Sequence, residues 1–381
     1  MRKGIATSLA TLVVFLLFVL LIPAPTPSVR LAPDAALAQP AKIVWKVQTT
    51  WPSGITLFQH AKDIGARIEE MTGGRFKWEV LPVGAVVGAF EVLEAVQKGL
   101  VDASHGWPGY WAGKNTATAL FGGTLGGPFG MRFEDFISWV YYGGGEDLYN
   151  EVLQKDLKMD NVMALLQPAC CQEPLGWFKK PIKSLQDFRG MKMRSSGLGV
   201  DLLKEMGISA VVLAGGEILP ALERGVVDGV EWSNPASDIP LGFHQVAKFL
   251  TGPSGRQPFG IQEILISKKK WAELPADLKA IVRNAVMAQI PAAVAREFGE
   301  SGKVFAELES KYKVQVITLP AEVQEAEIKA IVKVLDEHAK KNPSFARVLN
   351  HQKEFAAKTA VYHNWVRPPH SKLVDHYFGK K

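Results

Sequence analysis

Cysteine is nearly absent: the 381 residues hold two, and they are neighbours, Cys170 and Cys171. Adjacent cysteines join only through a strained ring, so two free thiols or one redox-labile pair both stay open. A disulfide scaffold and a cysteine zinc site are excluded, since each needs more ligands or another spacing. Histidine is sparse as well. Eight are scattered along the chain, and three of them (His363, His370 and His376) lie in the tail. There is no H-E-x-x-H, C-x-x-C, G-x-x-x-x-G-K-[ST] or G-x-S-x-G, and the glycines between Gly122 and Gly130 lack dinucleotide spacing. No basic run suits a nucleic acid, which is excluded as a partner. Beyond the first 22 residues no apolar run reaches the length of a membrane span, and no low-complexity linker divides the chain.

What is present begins with a leader. Arg2 and Lys3 precede an apolar run from Gly4 to Ile22, and Ala36-Leu37-Ala38 offers a small-x-small cleavage site before Gln39. This is the pattern of a secretory signal over residues 1–38. The run also approaches the length of an uncleaved membrane anchor. Either way the remainder is exported, and a periplasmic location is expected. Removing the leader takes away Arg2, Lys3, Arg30 and Asp34, so the formal charge falls from +6 to +4. A mildly basic surface of mixed sign is compatible with small anionic solutes.

The exported part alternates strand and helix patterns. Ile43 to Thr50 reads as a strand, Thr56 to Met71 as a helix, and Phe76 to Val83 as a second strand. Later strands are expected at 162–167, 176–178, 191–194, 261–267 and 314–319, with long helices over 275–312 and 321–341. Gly299 and Gly302 weaken the middle of the first of these. This order argues for an α/β architecture with mainly parallel sheets. One pattern occurs twice. Glu91 to Gly106 (E-V-L-E-A-V-Q-K-G-L-V-D-A-S-H-G) matches Glu217 to Trp232 (E-I-L-P-A-L-E-R-G-V-V-D-G-V-E-W) at Glu, Leu, Ala, Gly, Val and Asp. Helix–Gly–strand is a common unit, but two copies also suit two related lobes with a cleft between them. The expected layout is 39–160 mainly lobe I and 161–260 mainly lobe II. Residues 261–344 return across both lobes, and 345–381 form a helical tail.

In open α/β sheets ligands collect at the carboxyl ends of strands. The polar residues expected there are Gln172, Glu173, Arg194, Glu231, Trp232, Asn234 and Gln262. One fixed cation, at most two acids and several amides suit recognition of a small carboxylate better than acid–base catalysis. An arginine grips a carboxylate through two parallel N–H···O bonds. Arg194 precedes a glycine-rich helix start, which adds free backbone N–H groups. Glu231 would repel the same carboxylate unless a cation lies between them. Na⁺ or Ca²⁺ held by Glu231, a strand-end carbonyl and the Gln262 amide oxygen would resolve this; a plain Arg194–Glu231 salt bridge is the other reading.

The segments R-G-M-K-M-R (Arg189 to Arg194), G-W-F-K-K (Gly176 to Lys180) and A-L-E-R-G-V-V-D-G-V-E-W (Ala221 to Trp232) resemble the DctP-type solute-binding subunits of TRAP transporters, the ion-gradient-driven importers of organic acids. The resemblance covers nearly all of the exported chain. It implies a two-lobe periplasmic binding protein fold and partnership with TRAP membrane permease subunits. E-W followed by x-x-P is similar to the branch that binds 2-oxo or 2-hydroxy monocarboxylates with a metal ion. By that resemblance Arg194 takes the substrate carboxylate, while Glu231, the Trp232 backbone and Gln262 hold the cation. The branch has a glutamine shortly before G-W-F, where Gln172 and Glu173 both qualify. It also implies a homodimer through the aromatic C-terminal tail. Two other readings use the same residues: an exported metal-dependent enzyme acting on small acids, and a membrane-tethered solute sensor.

Overall fold

A computed structural model describes residues 42–169 and 172–379. The leader and the cysteine pair lie outside the described residues. Among the described residues eleven strands form two mixed sheets. The first contains β1 (Ile43–Thr49), β2 (Phe76–Leu81), β3 (Ala103–Gly106), β4 (Val162–Ala169) and β10 (Gly260–Ser267), in the order β2-β1-β3-β10-β4. The second contains β5 (Gly176–Phe178), β6 (Lys192–Ser195), β7 (Ser209–Val212), β8 (Gly229–Val230), β9 (Phe249–Gly252) and β11 (Gln315–Thr318), in the order β11-β9-β5-β8-β6-β7. Each sheet has a parallel trio (β2-β1-β3 and β7-β6-β8) extended by an antiparallel strand, β10 or β5. The fold is therefore the expected two-lobe α/β arrangement. Because β4 pairs with β10 over eight residues, the chain passes to the second sheet only after Ala169.

The sequence repeat is a structural repeat. In the first copy the helix Val92–Gln97 ends at Gly99, with φ +71°. In the second, Gly215–Glu223 is followed by Gly225, with φ +74°. Both glycines adopt the left-handed conformation that a side chain resists, and the next N–H returns to the helix at 2.9 Å, Leu100 to the Ala95 carbonyl and Val226 to Ala221. The repeated aspartates then do one job. Asp102 Oδ2 accepts the Lys46 N–H at 2.8 Å, and Asp228 Oδ2 accepts the Lys192 N–H at 3.0 Å. Each locks its strand beside the neighbouring parallel strand, so His105 and Glu231 arrive at equivalent strand ends.

The helix Ala276–Glu307 is 32 residues long. It buries Leu278, Val282 and Ala285 against the first sheet, and its end meets the second lobe through Val304 and Leu308. It runs unbroken through Gly299 and Gly302. Their cost of about 1 kcal/mol each is carried by the packing on either side. A further cluster joins Trp51, Ile55 and Leu57 of the first lobe to Trp177, Leu222 and Trp232 of the second, so the lobes share a core at the cleft. The glycine-rich aromatic segment from Trp107 to Met131 splits between two roles. Trp107 and Tyr110 reach the cleft, whereas Trp111, Phe121 and Leu125 are core residues beneath the helix Pro343–Trp365.

Candidate functional site

Four parallel strands, β1, β3, β6 and β8, end at one cavity between the lobes. Its wall includes Trp51, Trp107 and Tyr110 from the first lobe and Ser196, Glu231, Trp232 and Ser233 from the second. Glu173, which follows β4, and Arg256, Gln257 and Gln262, around the start of β10, complete the polar lining. A water centre can move through about 40 Å³ of it, a few times the roughly 10–15 Å³ that one water needs. The space suits a solute of few atoms.

Glu231 is buried and fully engaged. Its Oε1 accepts the Ser196 N–H at 3.1 Å and lies 3.4 Å from Arg194 Nη1, while Oε2 lies 3.0 Å from Arg256 Nη1. Arg194 is 1% exposed. Its Nε–H donates to the Leu213 carbonyl at 2.9 Å and its Nη1–H to the Glu231 carbonyl at 2.6 Å. The guanidinium stacks over the Trp232 ring, 4.9 Å from its centroid. The six-membered part of that ring meets Gly215, where a Cβ would come within 2.6 Å of Cη2. Arg194 Nη2 has no hydrogen-bond partner among the described residues, an unspent donor beside the cleft. Trp51 closes the opposite side edge-on, with ring centroids 6.2 Å from Trp232.

Two expectations about Gln172 and Asn234 come out differently in space. Glu173 lines the cavity, whereas Gln172 faces outer grooves with Phe305 and Pro235. Asn234 is buried behind the cavity wall. Its side chain accepts the Ser237 N–H at 3.2 Å and donates to Glu297 Oε2. Gln262 lines the cavity and lies 3.2 Å from His60 Nδ1.

Sequence reasoning missed Arg256 and Gln257, which carry no strand-end or helix-start signal. Arg256 Nη2 reaches Glu173 Oε2 at 2.5 Å. The Gln257 amide donates to the Gly122 and Phe259 carbonyls at 2.7 and 2.6 Å, and its oxygen is buried without a partner among the described residues. A basic and an amide residue between two glycine–proline turns was the available signal, but nothing local says where such a loop points.

The electrostatics follow from burial. Desolvation, with Glu231 nearby, pushes the Glu173 carboxyl up to about 7 against the pull of Arg256. Desolvation raises the Tyr110 hydroxyl as well, keeping it a neutral hydrogen-bonding group. His60 and His105 are pulled down by burial to about 4 and about 3, so both are neutral near pH 7. Glu173, Glu231 and Arg256 thus meet at one small cavity, with Arg194 against Glu231 behind its wall. No cluster of three or more His, Cys, Asp or Glu able to hold a metal occurs among the described residues. Any cation here must use carbonyl and amide oxygens beside a carboxylate, as hard cations do.

Residues 47–342 match the family model DctP, bacterial extracellular solute-binding protein, family 7. A monocarboxylate 2-oxoacid-binding periplasmic protein of Nostoc sp. is 31% identical over 311 residues, covering 82% of this chain and 83% of that one. Among solved structures, a TRAP transporter solute binding protein from Bordetella bronchiseptica RB50 superposes with a TM-score of 0.80 at 27% identity, covering 88% of this chain and 97% of that chain. It is described as a mixed occupancy dimer with copurified calcium and picolinate. A TRAP periplasmic solute binding protein from Pseudoalteromonas atlantica with bound sodium and pyruvate gives a TM-score of 0.78 at 26% identity, covering 88% and 99%.

Proposed function

The chain belongs to the bacterial extracellular solute-binding proteins of family 7, the solute-binding subunits of TRAP transporters, and we propose that this member captures a small 2-oxo or 2-hydroxy monocarboxylate. The observation that carries the reading is the small cavity lined by Arg256, with Arg194, whose Nη2 has no partner among the described residues, held against Glu231 of its wall. A guanidinium that has lost its water and lacks one acceptor favours an incoming carboxylate. Aromatic walls from Trp51, Trp107 and Trp232 take the short apolar part of such an acid.

Charge then calls for a partner ion. With Glu173 and Glu231 already present, the ligand brings a third carboxyl group to two arginines, and a bound Na⁺ or Ca²⁺ restores the balance. The residues fit such an ion. Glu231, Trp232 and Gln262 line the same wall and would offer a carboxylate, a backbone carbonyl and an amide oxygen, and the Gln257 oxygen, unpartnered among the described residues, adds a further candidate. When bound, such an ion would supply fixed positive charge that offsets the ligand's negative charge; Arg194 would supply direction.

Family members are receptors that work with membrane permeases, and we read this chain as returning its ligand unchanged rather than converting it. A ligand present at 100 times its Kd stabilises a protein by about 2.7 kcal/mol. Thermal melts with pyruvate, lactate, longer 2-oxo acids, C4-dicarboxylates and sugars, each with sodium, calcium or chelator, test the assignment. A shift with 2-oxo acids that chelator weakens is expected, and no shift from any carboxylate overturns it. NMR of the recovered ligand tests the absence of turnover.

The exposed C-terminal tail supports a homodimer. Trp365, Tyr377 and Phe378 are 80, 73 and 79% exposed, and Val361, Leu373 and Val374 lie beside them in sequence. Exposed apolar and aromatic side chains of this kind suit burial against a second copy. No helix among the described residues is long and apolar enough to cross a membrane.

A further inference from the structure

Behind the cavity, a line of buried polar groups runs from one lobe to the other. Glu297, on the long helix, is 2% exposed. Its Oε2 accepts the Asn234 side-chain N–H from the second lobe, and its Oε1 lies 3.5 Å from His60 Nε2 in the first. Neither Glu297 Oε1 nor His60 Nε2 has a hydrogen-bond partner among the described residues. The other imidazole nitrogen, His60 Nδ1, lies 3.2 Å from Gln262 Oε1. Turning that amide by half a turn about its last bond exchanges oxygen for nitrogen at the same point and presents the other atom to the cavity.

The buried imidazole is neutral, so one nitrogen carries a proton and the other accepts. With the proton on Nδ1, it donates to the Gln262 oxygen, and the amide N–H₂ faces the cavity. Nε2 and Glu297 Oε1 then face each other as two bare acceptors. With the proton on Nε2, it donates to Glu297 Oε1, and Nδ1 accepts from the Gln262 amide. Each orphaned buried group costs about 1–3 kcal/mol, so the second arrangement wins while Glu297 is ionised. We propose that Glu297, acting through His60, is a positioning residue that turns the Gln262 amide oxygen into the cavity. Through Asn234, two residues beyond Trp232, the same carboxylate ties this orientation to the approach of the second lobe.

The consequence for cation binding rests on the proposed function above; the tautomer itself does not. Two measurements on the mature chain separate them. Long-range ¹H–¹⁵N spectra, with the His60 signal assigned by its loss in His60→Asn, are expected to show the Nε2–H tautomer without ligand. An Nδ1–H tautomer overturns the proposal, whatever the protein binds. Glu297→Gln keeps an acceptor for Asn234 but offers a donor to Nε2, so it is expected to move the proton to Nδ1. Calcium and sodium affinity, titrated at saturating pyruvate, is then expected to fall about 10- to 100-fold, as for other partners that orient a metal ligand. A wild-type tautomer and unchanged cation affinity in Glu297→Gln overturn it. If the wild type binds no cation with any carboxylate, the ligand reading fails, while the tautomer still decides whether Glu297 sets the amide.

Discussion

Arg256 Nη1 lies 3.0 Å from Glu231 Oε2, and Nη2 of the same guanidinium lies 2.5 Å from Glu173 Oε2. One buried cation therefore holds two carboxyl groups that enter from different sheets, Glu173 after β4 and Glu231 after β8. It is a tie across the cleft as well as part of the wall.

Removing that cation strands two acids. Arg256→Ala is expected to destabilise the ligand-free protein by about 3–5 kcal/mol, the usual cost of breaking a buried pair from one side. Thermal or denaturant unfolding reads this. Recovery of at least half the loss in the double variant Arg256→Ala/Glu173→Gln is expected, because one of the two stranded acids is then neutral and Glu231 still faces Arg194.

Arg194 makes the complementary prediction for binding. Arg194→Ala is expected to weaken every carboxylate ligand by about 2–5 kcal/mol, a loss of roughly 30-fold or more. Arg194→Lys keeps the charge but loses the planar fork and the stack on Trp232, so it should restore only part of the affinity. Calorimetric titration decides, and unchanged affinity in Arg194→Ala removes this residue from the site.

Glu263 gives a pH test away from the ligand. Trp111 Nε1–H and the Tyr149 hydroxyl donate to its two oxygens, each at 2.5 Å, and burial raises it to about 7. An acid raised on folding contributes stability below its unfolded pKa, about 4.3, that is lost as pH rises through the folded value. Glu173 acts in the same direction. His60 and His105, lowered by burial, act oppositely, their stability being lost as pH falls below about 6.5. The wild-type profile mixes these trends, so the difference is the observable. The stability of wild type relative to Glu263→Gln is expected to fall between about pH 4.5 and 7; a flat difference contradicts the raised value.

The tail prediction concerns assembly. Light scattering after gel filtration is expected to give a dimer for the mature chain. Trp365→Asp with Tyr377→Asp is expected to give a monomer, with ligand affinity unchanged within about twofold. A monomer in the unsubstituted chain removes the tail contact.

Much of the fold was legible because its signals are local. Apolar spacing marked the helices Thr56–Met71 and Ala321–Lys341 at the bounds they adopt. The repeat predicted two lobes because a left-handed glycine and a strand-locking aspartate are needed wherever that unit is built. Arg194, Glu231 and Trp232 were readable as strand-end residues. Arg256 and Gln257 were not, since the loop from Gly252 to Gly260 has no period and its direction depends on the helix Ala321–Lys341. There Glu327 accepts the Ser254 hydroxyl at 2.5 Å and the Gly255 N–H at 2.8 Å.

The sequence by itself determined the elements, the doubled plan and the kind of chemistry available at the strand ends: arginine, carboxylate, amide and indole. Only the tertiary structure decided which of two adjacent residues, Gln172 or Glu173, meets the cleft. It alone made Arg256 the shared partner of two acids and moved Asn234 behind the wall to Glu297. Neighbours in sequence point to opposite faces of an extended segment, and which face is inside depends on packing between elements far apart in the chain.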